Sequence, residues 1–282
     1  MSFISYAQNF EDVMLWRALC NVDNGFYIDV GAFDPQIDSV TKAFYDRGWR
    51  GINIDPSTER FAALLKDRPR DLNLNIAVDD HAGERPFFEI LDTGLSSVVD
   101  SVAERHRAAG RPVLETCVAV QTLASICDQH VTGEIHFLKV DVEGAERAVL
   151  AGMDFRRFRP WIVIVEATEP MTQNRIEQEW EGILAANDYR QAYFDGLNCF
   201  FIANEQAELS KFFAVPPNVF DDFIRAEECR LRTQLEERDN DIAYLLERSN
   251  TLRSSFSWKI TRPLRGANWL LKQLSRLLNA RK

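Results

Sequence analysis

The chain has 282 residues, of which 46% are hydrophobic, a composition typical of a globular protein with a substantial core. Its formal net charge of −10 does not favour nucleic acid as the main partner. The five cysteines contain no Cys-x-x-Cys pair and the four histidines share no ligand spacing, so we predict reduced thiols, a cytoplasmic location and no metal site.

In chain order, short apolar runs alternate with patterns typical of amphipathic helices. The main predicted strands lie at 26–30, 49–55, 72–78, 135–142 and 161–165, and short strands lie at 87–91 and 116–120. Predicted helices lie at 39–47, 59–66, 122–130, 145–151 and 174–187, after a first helix within 2–20. This alternation predicts an α/β fold with a doubly wound, mostly parallel sheet.

The last two strands have a different connection. Residues 189–194 and 199–203 flank an Asp195-Gly196 turn, which predicts a terminal antiparallel hairpin. The pair Pro216-Pro217 then indicates the end of the globular part, so we predict one domain over 1–220.

Two further segments follow the predicted domain. Residues 221–252 are highly charged and have a patchy seven-residue apolar pattern, which predicts a long exposed helix or weak coiled coil for an oligomer or protein partner. A helix folded back on the domain is the alternative. Residues 253–282 contain eight basic residues, no acid and interleaved tryptophan and leucine. This basic amphipathic tail is expected either to contact an anionic membrane surface or to dock on the acidic body.

Acidic side chains stand at or beside the ends of the predicted strands. They are Asp29, Asp55, Asp141, Glu143 and Glu166. Because ligands of open α/β sheets bind outside the carboxyl ends of the strands, we expect these carboxylates to share one crevice. Such a crevice is costly unless a cationic or hydrogen-bond-donating ligand binds in it, and it repels phosphate.

The loop after the first strand discriminates between two nucleotide cofactors. Asp55 follows Gly31 by 24 residues, close to the spacing at which an acid hydrogen-bonds a ribose, and this holds for either cofactor. The loop from Gly31 to Pro35 lacks the Gly-x-Gly-x-x-Gly pattern that holds a pyrophosphate. The residues therefore favour S-adenosylmethionine, which has a ribose, an ammonium and a sulfonium, over NAD.

Several short motifs follow one another within about residues 5–203. They are Tyr27-Ile-Asp-Val-Gly-Ala32, Gly48-Trp49-Arg-Gly51, Ile54-Asp55-Pro56, Asn75-Ile-Ala77 and Phe137-Leu-Lys-Val-Asp-Val-Glu-Gly144, with Ser39 and Glu146. Together they resemble the FkbM family of S-adenosylmethionine-dependent methyltransferases. The resemblance implies a class I, Rossmann-like methyltransferase fold and methyl transfer to oxygen, often on sugars or polyketide-like products. Asp55 departs from the glutamate common in the family, and Pro35 from a glycine.

The resemblance also implies roles for the cofactor-binding residues. Asp29 and Gly31 look like contacts to the methionine part of the cofactor, and Asp55 looks like the acceptor for the ribose hydroxyls. Ser39 could add a hydroxyl near the methionine part, or it could be a serine on a helix face. Asn75 could contact the adenine side, or it could be a turn asparagine.

Asp141, Glu143 and Glu166 are the catalytic candidates. Methyl transfer to an alcohol needs in-line alignment and removal of the hydroxyl proton, which a positioned carboxylate can accept. We rank Asp141 first and Glu143 second as this base, while Glu166 is expected to help bind a polyol. We also expect at least one of the three to cap a helix instead. Lys139 is assigned a structural role.

The acceptor is expected to be a glycan or another hydroxyl-bearing small molecule. Residues 256–265 resemble a segment near the ends of bacterial glycan-assembly glycosyltransferases, which favours a surface polysaccharide or its precursor, at the inner face of the membrane. The alternatives are a secondary-metabolite methyltransferase and a non-catalytic, cofactor-binding scaffold of a glycan-assembly complex.

Overall fold

The computed structural model describes residues 2–90, 96–168 and 180–265, together with residues 267 and 269. The chain divides into two compact units, Met1–Ala226 and Glu227–Lys282.

A mostly parallel sheet forms the centre of the first unit. Within the described residues it has seven strands, and all run in one direction except β11, which is antiparallel to both of its neighbours. Their spatial order is β10 (Tyr189–Phe194), β11 (Asn198–Ala203), β9 (Ile162–Glu166), β8 (Phe137–Val140), β2 (Phe26–Val30), β3 (Arg50–Ile54) and β4 (Leu72–Leu74). The predicted α/β class with a mostly parallel sheet is confirmed, and the hairpin pairs β10 with β11.

Both faces of this sheet are apolar, as expected for strands that helices cover on each side. Alternate residues enter two separate core clusters, so that Ile28 belongs to one cluster and Tyr27 to the other. The Tyr27 face packs against α1 (Glu11–Leu19) and α2 (Lys42–Asp46). The Ile28 face is covered by α5 (Leu123–His130), α6 (Glu146–Ala151) and α7 (Glu181–Ala186). The helix predicted at 174–187 corresponds in part to α7, and its portion over 174–179 lies outside the described residues.

The strand predicted at 72–78 is wrong as a single element. Its first part is β4, and β5 (Ala77–Val78) joins a smaller sheet with β6 (Gly83–Ile90) and β7 (Val113–Gln121). Between the two parts, the Asn75 side chain donates hydrogen bonds to the carbonyl oxygens of Asp55 and Pro56, at 3.0 and 2.9 Å. After β4 ends, the side chain of Asn75 thus hydrogen-bonds to carbonyl oxygens of the segment that follows β3.

The first unit also contains the helices α3 (Thr58–Asp67) and α4 (Asp100–Ala108) and the 3-10 helices Asn204–Phe213 and Val219–Asp221, and α4 is not among the predicted helices. The unit also extends beyond residue 220, because β12 (Phe223–Arg225) pairs in parallel with β1 (Phe3–Ser5). Nearby, Arg17 forms an ion pair of 2.6 Å with Asp221.

The second unit begins with a single long helix. Helix α8 (Ala226–Ser254) has 29 residues and none of them is buried. Ser255 caps the following helix α9 (Phe256–Ile260) by accepting a hydrogen bond from the amide of Trp258. The greater part of the predicted tail beyond residue 265 lies outside the described residues. In the part of the chain that the structure describes, no helix combines the length and apolar character needed to cross a membrane.

Candidate functional site

The register of the central strands brings their acidic ends to one edge of the sheet. Val30 lies opposite Ile54 on one side and Val140 on the other, and Val140 lies opposite Val165. The residues that follow these positions line a cavity of about 440 Å³, within the usual size range of small-molecule sites. The predicted site residues found in its lining are Asp29, Gly31, Asp55, Asp141, Glu143 and Glu166.

Gly31 is required by the protein's own backbone. Its φ is +81°, and a Cβ added there would lie 1.7 Å from the carbonyl oxygen of Asp141. The loops after β2 and β8 therefore touch through their main chains. The position that a side chain of residue 31 would occupy is therefore filled by a protein carbonyl oxygen.

Asp29 and Lys139 form a buried charged pair at the floor of the cavity. They lie opposite each other in register, so both side chains stand on the same face of the sheet. The Nζ atom of Lys139 is 3.6 Å from Oδ1 of Asp29 and 3.0 Å from Oδ2 of Asp141. Burial alone would lower the pKa of Lys139, but Asp141 and Asp29 raise it above its ordinary value. Lys139 therefore remains a cation, and it lines the cavity although it was predicted to have a structural role.

Asp29 itself is almost completely enclosed, with 1% of its surface exposed. Thr41 donates a hydrogen bond of 3.3 Å to its Oδ2 atom, while its Oδ1 atom has no hydrogen-bond partner among the described residues. Burial raises the pKa of Asp29, and Lys139 opposes that rise. A buried carboxylate oxygen without a donor is costly, so this position suits a ligand that donates hydrogen bonds or carries positive charge.

The three catalytic candidates meet beside this pair. Asp141, Glu143 and Glu166 each place a carboxylate oxygen within 4.8 Å of the others. Burial, together with the charges of Asp141 and Glu143, raises the pKa of Glu166 to about 11. Burial and the charge of Asp141 raise the pKa of Glu143 to about 8. The cluster therefore holds protons at neutral pH as long as no cation neutralises it. Such a trio of carboxylates also has the ligand atoms of a metal site, which the spacing of the histidines and cysteines does not predict.

A neighbouring acid holds the loop between β8 and α6. Oε1 of Glu146 accepts hydrogen bonds from the amides of Val142 and Gly144, at 3.2 and 3.0 Å. No side chain caps the start of α6 by a hydrogen bond, so Asp141 and Glu143 do not have that role at this helix.

Asp55 lies on the opposite side of the cavity, after β3. Its two carboxylate oxygens accept hydrogen bonds from the amides of Phe33 and Ser57, both at 2.9 Å. Burial raises its pKa to about 6. These two bonds fix the carboxylate, and each oxygen keeps further acceptor capacity for a ligand hydroxyl.

Two predicted site residues stand outside the cavity lining. Ser39 is buried, and its hydroxyl accepts a hydrogen bond of 2.9 Å from the fully buried Arg68. Its neighbours Asp38 and Val40 line the cavity instead. Asn75 holds the backbone of Asp55 and Pro56 and lines a smaller neighbouring cavity, which shares Pro56 and Ser57 with the first one.

The structure adds a residue that sequence reasoning missed. Glu11 lines the cavity from the start of α1, and its Oε1 atom accepts a hydrogen bond of 2.7 Å from the side-chain amide of Asn198. Burial and the charge of Asp195 raise the pKa of Glu11 to about 7. The partners are separated by 187 residues, so no local pattern could have revealed this pair.

The cavity thus has chemically distinct regions. One region contains four carboxylates, from Asp29, Asp141, Glu143 and Glu166. Among the described residues that line this region, Lys139 supplies the single ammonium group. Elsewhere the lining includes the apolar side chains Ile54, Ile76, Val78, Phe87 and Ile90, together with the polar residues Ser57 and Arg60 beside Asp55. A ligand that suits both has positive charge at one end, hydroxyl groups and a flat apolar ring system at the other.

Comparison with known protein families agrees with this arrangement. Residues 29–191, more than half of the chain, match the sequence profile of the methyltransferase FkbM domain. This range begins at Asp29 and includes the acids of all four strand ends. A search of curated proteins finds no significant match. From the matched range and the fold that it forms, we conclude that this chain belongs to the FkbM methyltransferase family and is a methyltransferase.

Proposed function

We propose that the protein is an S-adenosylmethionine-dependent O-methyltransferase that methylates a hydroxyl of a sugar in a bacterial surface polysaccharide or its precursor. The observation that carries this proposal is the convergence of the strand-end acids on one cavity within an FkbM domain. A mostly parallel sheet that contains a single reversed strand supports the class I, Rossmann-like methyltransferase fold.

The chemistry of the donor set supports the cofactor. The Oδ1 atom of Asp29, which accepts no hydrogen bond among the described residues and has an ion pair of 3.6 Å with Lys139, suits the ammonium group of the methionine part, and Lys139 suits its carboxylate. Asp55 suits the ribose hydroxyls, with the apolar lining beside it for the adenine. Surplus negative charge around the cavity disfavours the pyrophosphate of NAD. When bound, S-adenosylmethionine supplies an electrophilic methyl group carried on a positively charged sulfur.

The protein's own residues then align the acceptor and remove its proton. Asp141 is the first candidate for the base because its carboxylate is accessible from the cavity, with 34% of its side chain exposed beside the ammonium of Lys139. Glu143 is the second candidate. Without a bound cation, Glu166 has a raised pKa, is protonated at neutral pH and suits hydrogen-bond donation to an acceptor oxygen.

Polar residues in the lining of the cavity support a polyhydroxylated acceptor. Gln8, Glu11, Thr168 and Asn198 line the same cavity as the carboxylate trio and offer hydrogen-bond donors and acceptors. A secondary metabolite with a hydroxyl group is the alternative acceptor, and a cofactor-binding scaffold without turnover is the non-enzymatic alternative.

We extend the proposal to the second unit. The exposed apolar residues of α8, such as Leu235, Ile242 and Leu245, support a coiled-coil contact with an oligomer or protein partner. Phe256, Trp258 and Ile260 are exposed beside basic residues, which supports a peripheral contact of the tail with the cytoplasmic face of a membrane.

Two measurements test the enzymatic proposal. Calorimetric titration of the full chain with S-adenosylmethionine, and with NAD as the control, tests the cofactor. Transfer of a tritiated methyl group is then screened over sugars and secondary metabolites. Transfer to a sugar supports the proposal, and transfer only to other hydroxyl compounds favours the alternative acceptor. Binding without any transfer favours the scaffold, whereas failure to bind the cofactor refutes the proposal.

A further inference from the structure

The carboxylate trio has a geometry that hydrogen bonding within the protein explains only in part. One oxygen each of Asp141, Glu143 and Glu166 lies within 4.8 Å of the other two. A hydrogen bond joins Glu166 to Asp141 and helps to raise the pKa of Glu166, but it does not involve Glu143. Oxygen ligands of a divalent cation sit at about 2.0–2.6 Å from the metal, so ligands of one ion are at most about 4–5 Å apart. The three oxygens thus fit around a common centre.

A second observation concerns Glu143. Only 9% of this residue is exposed, and its Oε2 atom is buried without any hydrogen-bond partner among the described residues. The backbone around it is held, since Ser97 donates a hydrogen bond of 2.8 Å to the Glu143 carbonyl oxygen. A buried carboxylate oxygen that makes no bond is costly, and a ligand that coordinates it would remove this cost.

The protein's own cation does not serve this purpose. Lys139 makes its ion pairs with Asp29 and Asp141, and among the described residues no ion pair involves Glu143 or Glu166. A second acidic group, Asp79, Asp80 and His81, also has metal-ligand atoms close together. There, however, Arg85 already pairs with Asp79 at 2.6 Å, and His81 pairs with Asp80. Both aspartates of that group thus have a partner, whereas in the trio Asp141 has one and Glu143 and Glu166 have no ion pair among the described residues.

We propose that Asp141, Glu143 and Glu166 form a binding site for one divalent cation. The ligands are all carboxylate oxygens, so the site would take a hard, oxygen-preferring ion such as Mg²⁺, Mn²⁺ or Ca²⁺. Three protein ligands leave coordination positions open toward the cavity. Binding of the ion itself does not depend on any reaction.

The purpose of such an ion rests on the proposed function. If the protein methylates a hydroxyl, the open positions would bind that hydroxyl and lower its pKa, since a bound cation stabilises the deprotonated oxygen. Two neighbouring open positions would favour an acceptor with two adjacent hydroxyls. This predicts a vicinal diol, a group that sugars carry, as the preferred acceptor.

The test uses Mn²⁺ alone with the full chain, without cofactor or acceptor. Electron paramagnetic resonance measures free Mn²⁺, and we expect saturable binding to the unmodified protein. Glu143→Gln and Glu166→Gln should each weaken binding by about 10-fold or more, since even groups that only orient a metal ligand contribute about 10–100-fold. Glu89→Gln removes an acid from the same cavity outside the trio, and Asp80→Asn disables the second acidic group. Both controls should bind Mn²⁺ as the unmodified chain does.

A second measurement needs no variant and covers the case in which the glutamine variants do not fold. Fe²⁺ with ascorbate and peroxide cuts the backbone close to a bound metal, and mass spectrometry locates the cuts. We expect cleavage near residues 141–143 and 166, suppressed by excess Mg²⁺. Absence of saturable Mn²⁺ binding, unchanged affinity in folded glutamine variants, or cleavage only elsewhere would overturn the proposal. Calorimetry with S-adenosylmethionine on the same preparations separates the two ideas. If the protein binds Mn²⁺ but not S-adenosylmethionine, the proposed S-adenosylmethionine-dependent methyl transfer is refuted and the cation site stands. If it binds S-adenosylmethionine but not Mn²⁺, the cation site is refuted and the proposed function stands.

Discussion

Gly31 is the position where one added methyl group should disturb the site most. Its φ of +81° is strained for any other residue, and the new Cβ would lie 1.7 Å from the Asp141 carbonyl oxygen. Because that oxygen belongs to the main chain, no side chain can rotate to make room. The loops after β2 and β8 must separate instead, and these loops lie next to Asp29 and carry Asp141 and Glu143, the proposed catalytic acids.

Gly48 offers a matched control for the size of this effect. It has a φ of +93°, but nothing lies within 4 Å of an added Cβ. Gly48→Ala thus measures backbone strain alone, which we expect to cost about 1–2 kcal/mol. Gly31→Ala adds overpacking of about 1–3 kcal/mol, for a total of about 2–5 kcal/mol. At roughly 2–4 °C per kcal/mol, Tm should fall by about 2–8 °C for Gly48→Ala and about 4–20 °C for Gly31→Ala.

Thermal unfolding followed by near-ultraviolet circular dichroism measures these differences. Calorimetric titration with S-adenosylmethionine, at a temperature where both variants are folded, measures the functional consequence. We expect Gly31→Ala to lose cofactor affinity and Gly48→Ala to keep it. Equal losses of Tm in the two variants would refute the reasoning, since they would show that the contact with Asp141 has no cost of its own.

Four further outcomes are expected. Asp55→Ala should weaken S-adenosylmethionine binding by about 1.5–3 kcal/mol, roughly 10- to 150-fold, the size expected for a hydrogen bond to a charged group. The control Glu115→Ala, which changes an exposed acid, should leave the affinity unchanged. Calorimetric titration measures both variants, and an unchanged affinity in Asp55→Ala would show that Asp55 does not bind the ribose. Asp141→Asn should retain cofactor binding but lower the turnover number by at least about 10²-fold in the tritium assay, and near-normal turnover would transfer the role of base to Glu143 or Glu166. Burial and Asp195 raise the pKa of Glu11 from 4.5 to about 7, so the folded chain binds a proton that the unfolded chain releases. The free energy of unfolding should therefore fall as pH rises from about 5 to 8. In Glu11→Gln, which keeps the neighbours Asp12, Asp195 and Asn198, urea titrations should show a smaller fall over the same pH range. An identical dependence of the unfolding free energy on pH in both proteins would contradict this. The full chain should sediment with anionic vesicles, less so at high salt, whereas a chain that ends at Leu252 should stay in the supernatant; if neither sediments, the tail does not bind membranes.

The acids at the strand ends show what local sequence can predict. Asp29, Asp55, Asp141 and Glu166 each follow or close a short apolar run. In a parallel sheet such positions meet at one edge whatever the details of packing, so the cavity and its acidic lining could be expected. The same period-two pattern contained Lys139, which is two residues before Asp141 and opposite Asp29 in register. The sequence predicts that Lys139 lies in this strand, but the charges next to its ammonium group, those of Asp29 and Asp141, are known only from the structure.

The two residues for which a ligand contact and a structural role were both predicted show the limit of local reasoning. Ser39 and Asn75 are polar residues next to the cavity, and the sequence carries no information on whether a side chain turns toward the ligand or toward the protein. Arg68 donates a hydrogen bond to Ser39. Asn75 donates hydrogen bonds to the carbonyl oxygens of Asp55 and Pro56. Buried polar groups require hydrogen-bond partners, and in both cases the nearest partners belong to the protein.

The sequence by itself determined the main alternation of strands and helices, the turns that contain glycine and the acids at the strand ends. Backbone preference and apolar periodicity act over a few residues, so a local pattern is enough to predict these features. Only the tertiary structure decided which distant groups share a site. Glu11 meets Asn198, β1 pairs with β12, and Gly31 packs against Asp141 across separations of 187, about 220 and 110 residues. Contacts at such distances depend on how the chain closes on itself, and they follow from the packing of the whole sheet and its helices rather than from any local pattern.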